Sequence, residues 1–254
     1  MKVPTKGHLG WALACGICFS LMPALHGQES SSTPVPETKE TGWKKLSIGF
    51  RVAGYPFNVM HNKDVNTTTT NPAATFAIST SNTYMQVGAG PSVEYAAFGH
   101  ISFAAELFYH SIDYTKTTEI TITSNSALTG ITEKTGARLW DAPVFVRYRG
   151  FGETGFFSKV YVAAGAELRD VAHIHTTTVT NLPDGTNLNS YAPVVPTKRN
   201  LPGVVAGVGA RFVDDFGIKL EPELRYTHWF GETFDSGSTQ MRRSQFDLSI
   251  ALVF

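Results

Sequence analysis

Three groups of side chains in this sequence are spaced so that they could do chemistry. Tyr109-His110-Ser111 sets a base beside a hydroxyl, the start of the nucleophile–base pair that hydrolases use. His173 and His175 stand two apart, so in an extended chain both imidazoles face one way, as two ligands of a metal site would. The third group is larger. Arg51, Glu94, Glu106, Arg147, Glu167, Arg169, Arg211, Lys219, Glu221, Glu223, Arg225 and Asp247 are charged residues that recur opposite apolar ones. The first two groups are incomplete. Neighbours on a strand point to opposite faces, so His110 and Ser111 are not expected to meet. The histidine pair has no clear third Cys, His or acid nearby. The sequence therefore predicts no catalytic, cofactor or metal site, and the charged set is the one to place.

The elements that carry this set alternate with a period of two. The first run puts Leu46, Ile48, Phe50 and Val52 opposite Ser47, Gly49, Arg51 and Ala53. Similar runs begin at Met85, Ile101, Trp140, Val160, Gly203, Ile218 and Gln245, which makes eight. They are about 9–11 residues long, the length of a tilted strand that crosses a bilayer. Connections near Gly99 and Gly217 are short, and that from Arg149 to Ser158 is modest and glycine-rich. Those beginning near Pro56, Ser111, Asp170 and Phe230 are long and rich in Thr, Ser and Asn, including Thr67 to Thr70. Short turns at one rim and long polar loops at the other predict an all-β, eight-stranded antiparallel up-and-down transmembrane barrel. Gly88, Gly90, Gly207 and Gly209 are strand glycines and do not belong to a phosphate loop, which requires a following helix.

Whole-chain averages point elsewhere. The 254 residues carry 21 Lys and Arg against 21 Asp and Glu, which excludes a basic nucleic-acid binder. With 42% hydrophobic residues it is no disordered chain. A mean hydropathy of −0.07 reads as soluble. The two strand faces explain that figure. One is continuous Leu, Val, Ile, Phe and Ala and suits lipid. The other mixes both charge signs with Gly and Ala, which suits a narrow lumen better than the exterior of a soluble lipocalin. Trp43, Tyr55, Tyr95, Tyr109, Trp140, Tyr148, Tyr226 and Trp229 are candidates for the interfacial belts.

The ends complete the organisation. Lys2 and Lys6, then an apolar stretch from Leu9 to Leu25, predict a cleaved export signal over residues 1–27, with cleavage after Ala24 or Gly27. Both cysteines, Cys15 and Cys18, lie inside it, so the exported chain has no disulfide. Residues 28–43 read as a flexible linker and 44–254 as the barrel domain.

The final strand, Phe246, Leu248, Ile250, Leu252 and terminal Phe254 on one face, resembles the assembly signature of Gram-negative outer-membrane barrels. Trp140-Asp141-Ala142-Pro143-Val144-Phe145-Val146-Arg147-Tyr148, then Tyr161 to Ala166 and Glu223 to Thr227, resemble successive strands of the small outer-membrane β-barrel domain family, of OmpA, OmpX and porin-like type. That resemblance implies outer-membrane location, insertion by the barrel-assembly machinery, contact with outer-membrane lipid and lipopolysaccharide, and no shared activity. One departure from the family is expected, that no peptidoglycan-binding domain follows the barrel. A non-enzymatic structural or surface-interaction role, with an unknown extracellular ligand at the loops, is the leading expectation. A low-conductance pore for ions or small solutes is the alternative, and a lipid A-modifying enzyme the third.

Overall fold

The computed structural model describes residues 45–254 apart from short segments at 58, 63–64, 71–72, 83–85, 123–126, 153, 183, 193 and 236–238. The expected export signal and linker, Trp43 and Met85 lie outside the described residues.

Eight strands close into a ring. They are β1 (Leu46–Tyr55), β2 (Gln86–Phe98), β3 in two pieces (Ile101–Glu106 and Phe108–Ile122), β4 (Ala127–Arg149), β5 (Val160–Asn181), β6 (Asn200–Ala210), β7 (Lys219–Trp229) and β8 (Ser244–Val253). Each pairs antiparallel with its sequence neighbours, and β8 returns to β1. Closure leaves the wall without an edge, the arrangement that satisfies every backbone group in lipid. All eight alternating runs of the sequence fall on these strands. The wall admits no side chain where strands crowd. At Gly90 a Cβ would lie 1.7 Å from the Leu107 carbonyl oxygen, at the break between the two pieces of β3.

Alternation sorts the residues as the two faces require. Along β8, Phe246, Leu248, Ile250 and Leu252 are exposed on the outside, and Gln245, Asp247, Ser249 and Ala251 are buried inside. Aromatic rings mark both limits of the outer apolar band. Tyr109 packs on Trp140 and Tyr226 on Phe246 at the loop end, each pair with centroids 5.0 Å apart. Tyr148, Phe151, Phe156 and Phe157 gather at the turn end. From Trp140 to Tyr148 an extended strand tilted by about 45°, as in membrane barrels generally, rises roughly 20 Å.

The segments beginning at Ser111 and Asp170, expected to be long polar loops, are instead extensions of the wall. Beyond the Tyr109–Trp140 belt β3 runs on to Ile122, β4 starts at Ala127, and β5 runs to Asn181. That is about twelve residues past the belt, or roughly 40 Å of extended chain. Strands Val65–Thr70 and Ala73–Asn82 add to β3, and Asn187–Tyr191 adds to β5, giving a projecting six-stranded sheet. The turn before Asn187–Tyr191 is fixed by Asp184, which accepts hydrogen bonds from the Thr186 hydroxyl and amide at 2.6 and 2.9 Å. Those bonds hold its carboxyl below the usual range.

Candidate functional site

The charged set converges in the lumen because inward positions of facing strands share one level. Arg147 of β4 lies 2.8 Å from Glu94, 3.0 Å from Glu106, 3.4 Å from Glu221 and 3.3 Å from Glu223. Arg51 of β1 meets Glu106 at 3.1 Å, Glu221 at 3.4 Å and Glu223 at 3.0 Å. Arg225 bonds Glu106 and Glu223, both at 2.7 Å. Arg211 reaches Glu94 at 2.6 Å and also pairs with Glu221. Arg149, absent from the expected set, pairs with Glu94. Tyr161 donates its hydroxyl to Glu223 at 2.7 Å. Five guanidiniums and four carboxylates thus interlock, so every one of these charges except Arg149 meets at least two of opposite sign. The rings of Phe145 and Tyr161 lie beneath Arg225 and Arg147, at 4.5 and 5.2 Å.

A second cluster sits nearer the loops. Arg169 grips Asp141 with two hydrogen bonds of 2.7 Å, donates to Gln245 at 3.2 Å, and lies 4.0 Å over the Trp229 ring. Asp141 is also 2.8 Å from His110 Nε2. The three remaining members of the expected set form no ion pair among the described residues. Lys219 donates to Ser47 at 2.6 Å, Glu167 accepts from Thr227 at 2.9 Å, and Asp247 is buried with its Oδ1 unbonded. Asp141 and Arg149 were legible as inward positions of the Arg147 strand, since both differ from it by an even number.

His110 therefore has an orienting acid. Its ring stacks on Tyr55 with centroids 5.0 Å apart. Ser111 lies on the outer, exposed face, so these two residues do not form a nucleophile–base pair. His173 takes a φ of 49° in a bulge where β5 slips against Ala137 of β4. The expected plain extended stretch is broken there, although both His173 and His175 remain exposed. Among the described residues no group of three metal-ligating side chains gathers.

Above the charges the lumen changes character. Ile112, Tyr114, Ala137, Leu139 and Val171, inward residues of the wall extensions, pack with Val59, Met60, Phe234 and Met241 from two loops. Those loops join in a short antiparallel pair, Met60–Asn62 with Thr239–Met241. This apolar cap was not foreseen. Its loop residues, the pair Val59-Met60 and the separate Phe234 and Met241, stand among polar ones with no period to reveal them.

No family model and no curated protein matches the chain. Among solved structures it is similar to the crystal structure of neisserial surface protein A, at 11% identity over 82% of this chain and 96% of that one, with a TM-score of 0.35. It is also similar to the solid-state NMR structure of outer membrane protein AlkL in DMPC bilayers, at 13% identity over 89% and 97%, with the same TM-score of 0.35. Its own closed hydrogen-bonded ring is what defines the fold.

Proposed function

We propose that this chain is a non-enzymatic outer-membrane barrel that holds a Thr-rich sheet above the bilayer as an interaction surface. Residues 1–27 export it, the barrel-assembly machinery inserts it, and outer-membrane lipid and lipopolysaccharide surround it. The observation that carries the reading is a contrast within one wall. The lumen is filled, by charges and then by the apolar cap, while the same strands continue past the belt. The projecting sheet ends in two edge strands, Val65–Thr70 and Asn187–Tyr191, and neither contains a charged residue. Such edges offer unpaired backbone groups to an extended partner.

The reading is tested in three ways. Purified protein in planar bilayers is expected to give no discrete conductance, and reproducible channels would favour the low-conductance pore. On intact cells, a cysteine introduced at Asn189 is expected to react with a membrane-impermeant maleimide, and failure to label would remove the proposed presentation. Lipid A modification that disappears in His110→Ala would support the enzyme instead.

A further inference from the structure

Among the described residues, the seam between β8 and β1 is unzipped at its loop end. β8 pairs with β7 along its whole length, up to His228 opposite Ser244. Its pairing with β1 stops at Gly54 opposite Leu248. Ser244 to Asp247 therefore have no β1 partner, and the ring is notched at its loop end over about four residues, or roughly 13 Å. A half-open groove of about 410 Å³ occupies the notch, lined by Phe57, Val59, Arg242, Ser244, Gln245 and Phe246.

The lining is built in two parts. Phe57 and Phe246 stand edge to face with centroids 6.0 Å apart, both exposed on the outside, and Val59 is buried. Phe246 belongs to the outer apolar face and its aromatic belt, so the notch opens where the lipid face ends. The polar part is at the loop side. The Arg242 amide donates to the Val59 carbonyl at 2.7 Å, and the Arg242 carbonyl accepts from Gln245 Nε2 at 3.1 Å. Those bonds fix its backbone at the mouth. The neighbouring Arg243 is engaged by Glu232 at 2.9 Å, whereas the exposed Arg242 guanidinium has no ion pair among the described residues.

We propose that this notch binds one phosphorylated lipid of the outer leaflet, with an acyl chain along Phe57, Val59 and Phe246 and a phosphate on Arg242. The inference rests on the barrel lying in the outer membrane. Three features select this occupant. The opening is continuous with the lipid-facing surface, the apolar part of the lining lies along it, and Arg242, without an ion pair among the described residues, stands on the loop side of Phe246.

The test uses the folded barrel in phosphatidylcholine nanodiscs, followed by NMR during titration with bisphosphorylated lipid A. Saturable shifts confined to Phe57, Val59 and Arg242 to Phe246 are expected, and Arg242→Gln should weaken the response about tenfold. Arg242→Lys should restore most of it. Shifts spread evenly round the belt would mean ordinary lipid solvation and overturn the site. An equal response to the dephosphorylated lipid would remove the role of Arg242. Inorganic phosphate alone, binding as tightly, would remove the acyl chain. The wild-type titration decides the matter even if a variant fails to fold. A chain that stays monomeric without detergent and ignores nanodiscs would instead overturn the outer-membrane reading itself.

Discussion

Arg147 touches four carboxylates, so no other single side chain neutralises as much of the lumen. Arg147→Met should destabilise the barrel by about 3–5 kcal/mol, because it strands buried carboxylates instead of removing a balanced pair. Urea unfolding in detergent micelles measures it. The control is Lys116→Met, whose ion pair with Glu133 on the projecting sheet is partly exposed at 24% and 29%. That change should cost less than about 1 kcal/mol. The sequence told which of these residues point inward, since alternation alone decides it. It did not tell who meets whom. Arg51 and Glu221 are 170 positions apart, and only the register around the closed ring brings them together. For the same reason Lys219 and Asp247 sit on the charged face yet pair with no opposite charge among the described residues.

At the level of elements, the eight spanning runs were readable because each keeps a long apolar face. The wall extensions were not. Beyond Ser111 and Asp170 the inward face loses its unbroken apolar run: Ile112 and Tyr114 are followed by Lys116 and Thr118 on β3, and Val171 and Ile174 by Thr176 and Thr178 on β5. The bulge at His173 also shifts the alternation by one residue. The cap was hidden for a further reason: its loop half has no periodicity at all. Phe234 is its largest loop residue and is 2% exposed. Phe234→Ala should cost about 3–5 kcal/mol by leaving a void under the loops. Hydrogen exchange should then rise in Met60–Asn62 and Thr239–Met241 and stay unchanged around Arg147. Equal protection in both proteins would show that the cap is not held by packing. The other element-level prediction concerns β8. Phe254 exchanges two backbone hydrogen bonds with Ile48, at 2.8 and 3.2 Å, and its deletion should lower the folded fraction recovered from membranes.

For the whole molecule, zero net charge and near-zero hydropathy are averages over two opposite faces. Ile250 lies at the middle of the outer face of β8, so Ile250→Arg should cost about 2–4 kcal/mol in a bilayer. Ser249→Ala beside it, on the lumen side, removes hydrogen bonds from Arg51 at 3.1 Å and to the Glu223 carbonyl at 3.3 Å, and should cost closer to 1 kcal/mol. Reversal of that order would put the apolar face inside. The folded protein should also migrate differently on a gel before and after boiling, and identical migration would count heavily against a closed barrel. The seam itself has a temporal consequence. Arg51 meets Ser249 across 198 positions, the longest separation in the wall's side-chain network. Most of the chain must be ordered before that loop can close. Gly49, where a Cβ would lie 2.5 Å from the Leu252 carbonyl oxygen, stands on that late contact. Crowding there should slow the final step of insertion far more than it hastens unravelling, making the junction of first and last strands the clock of assembly.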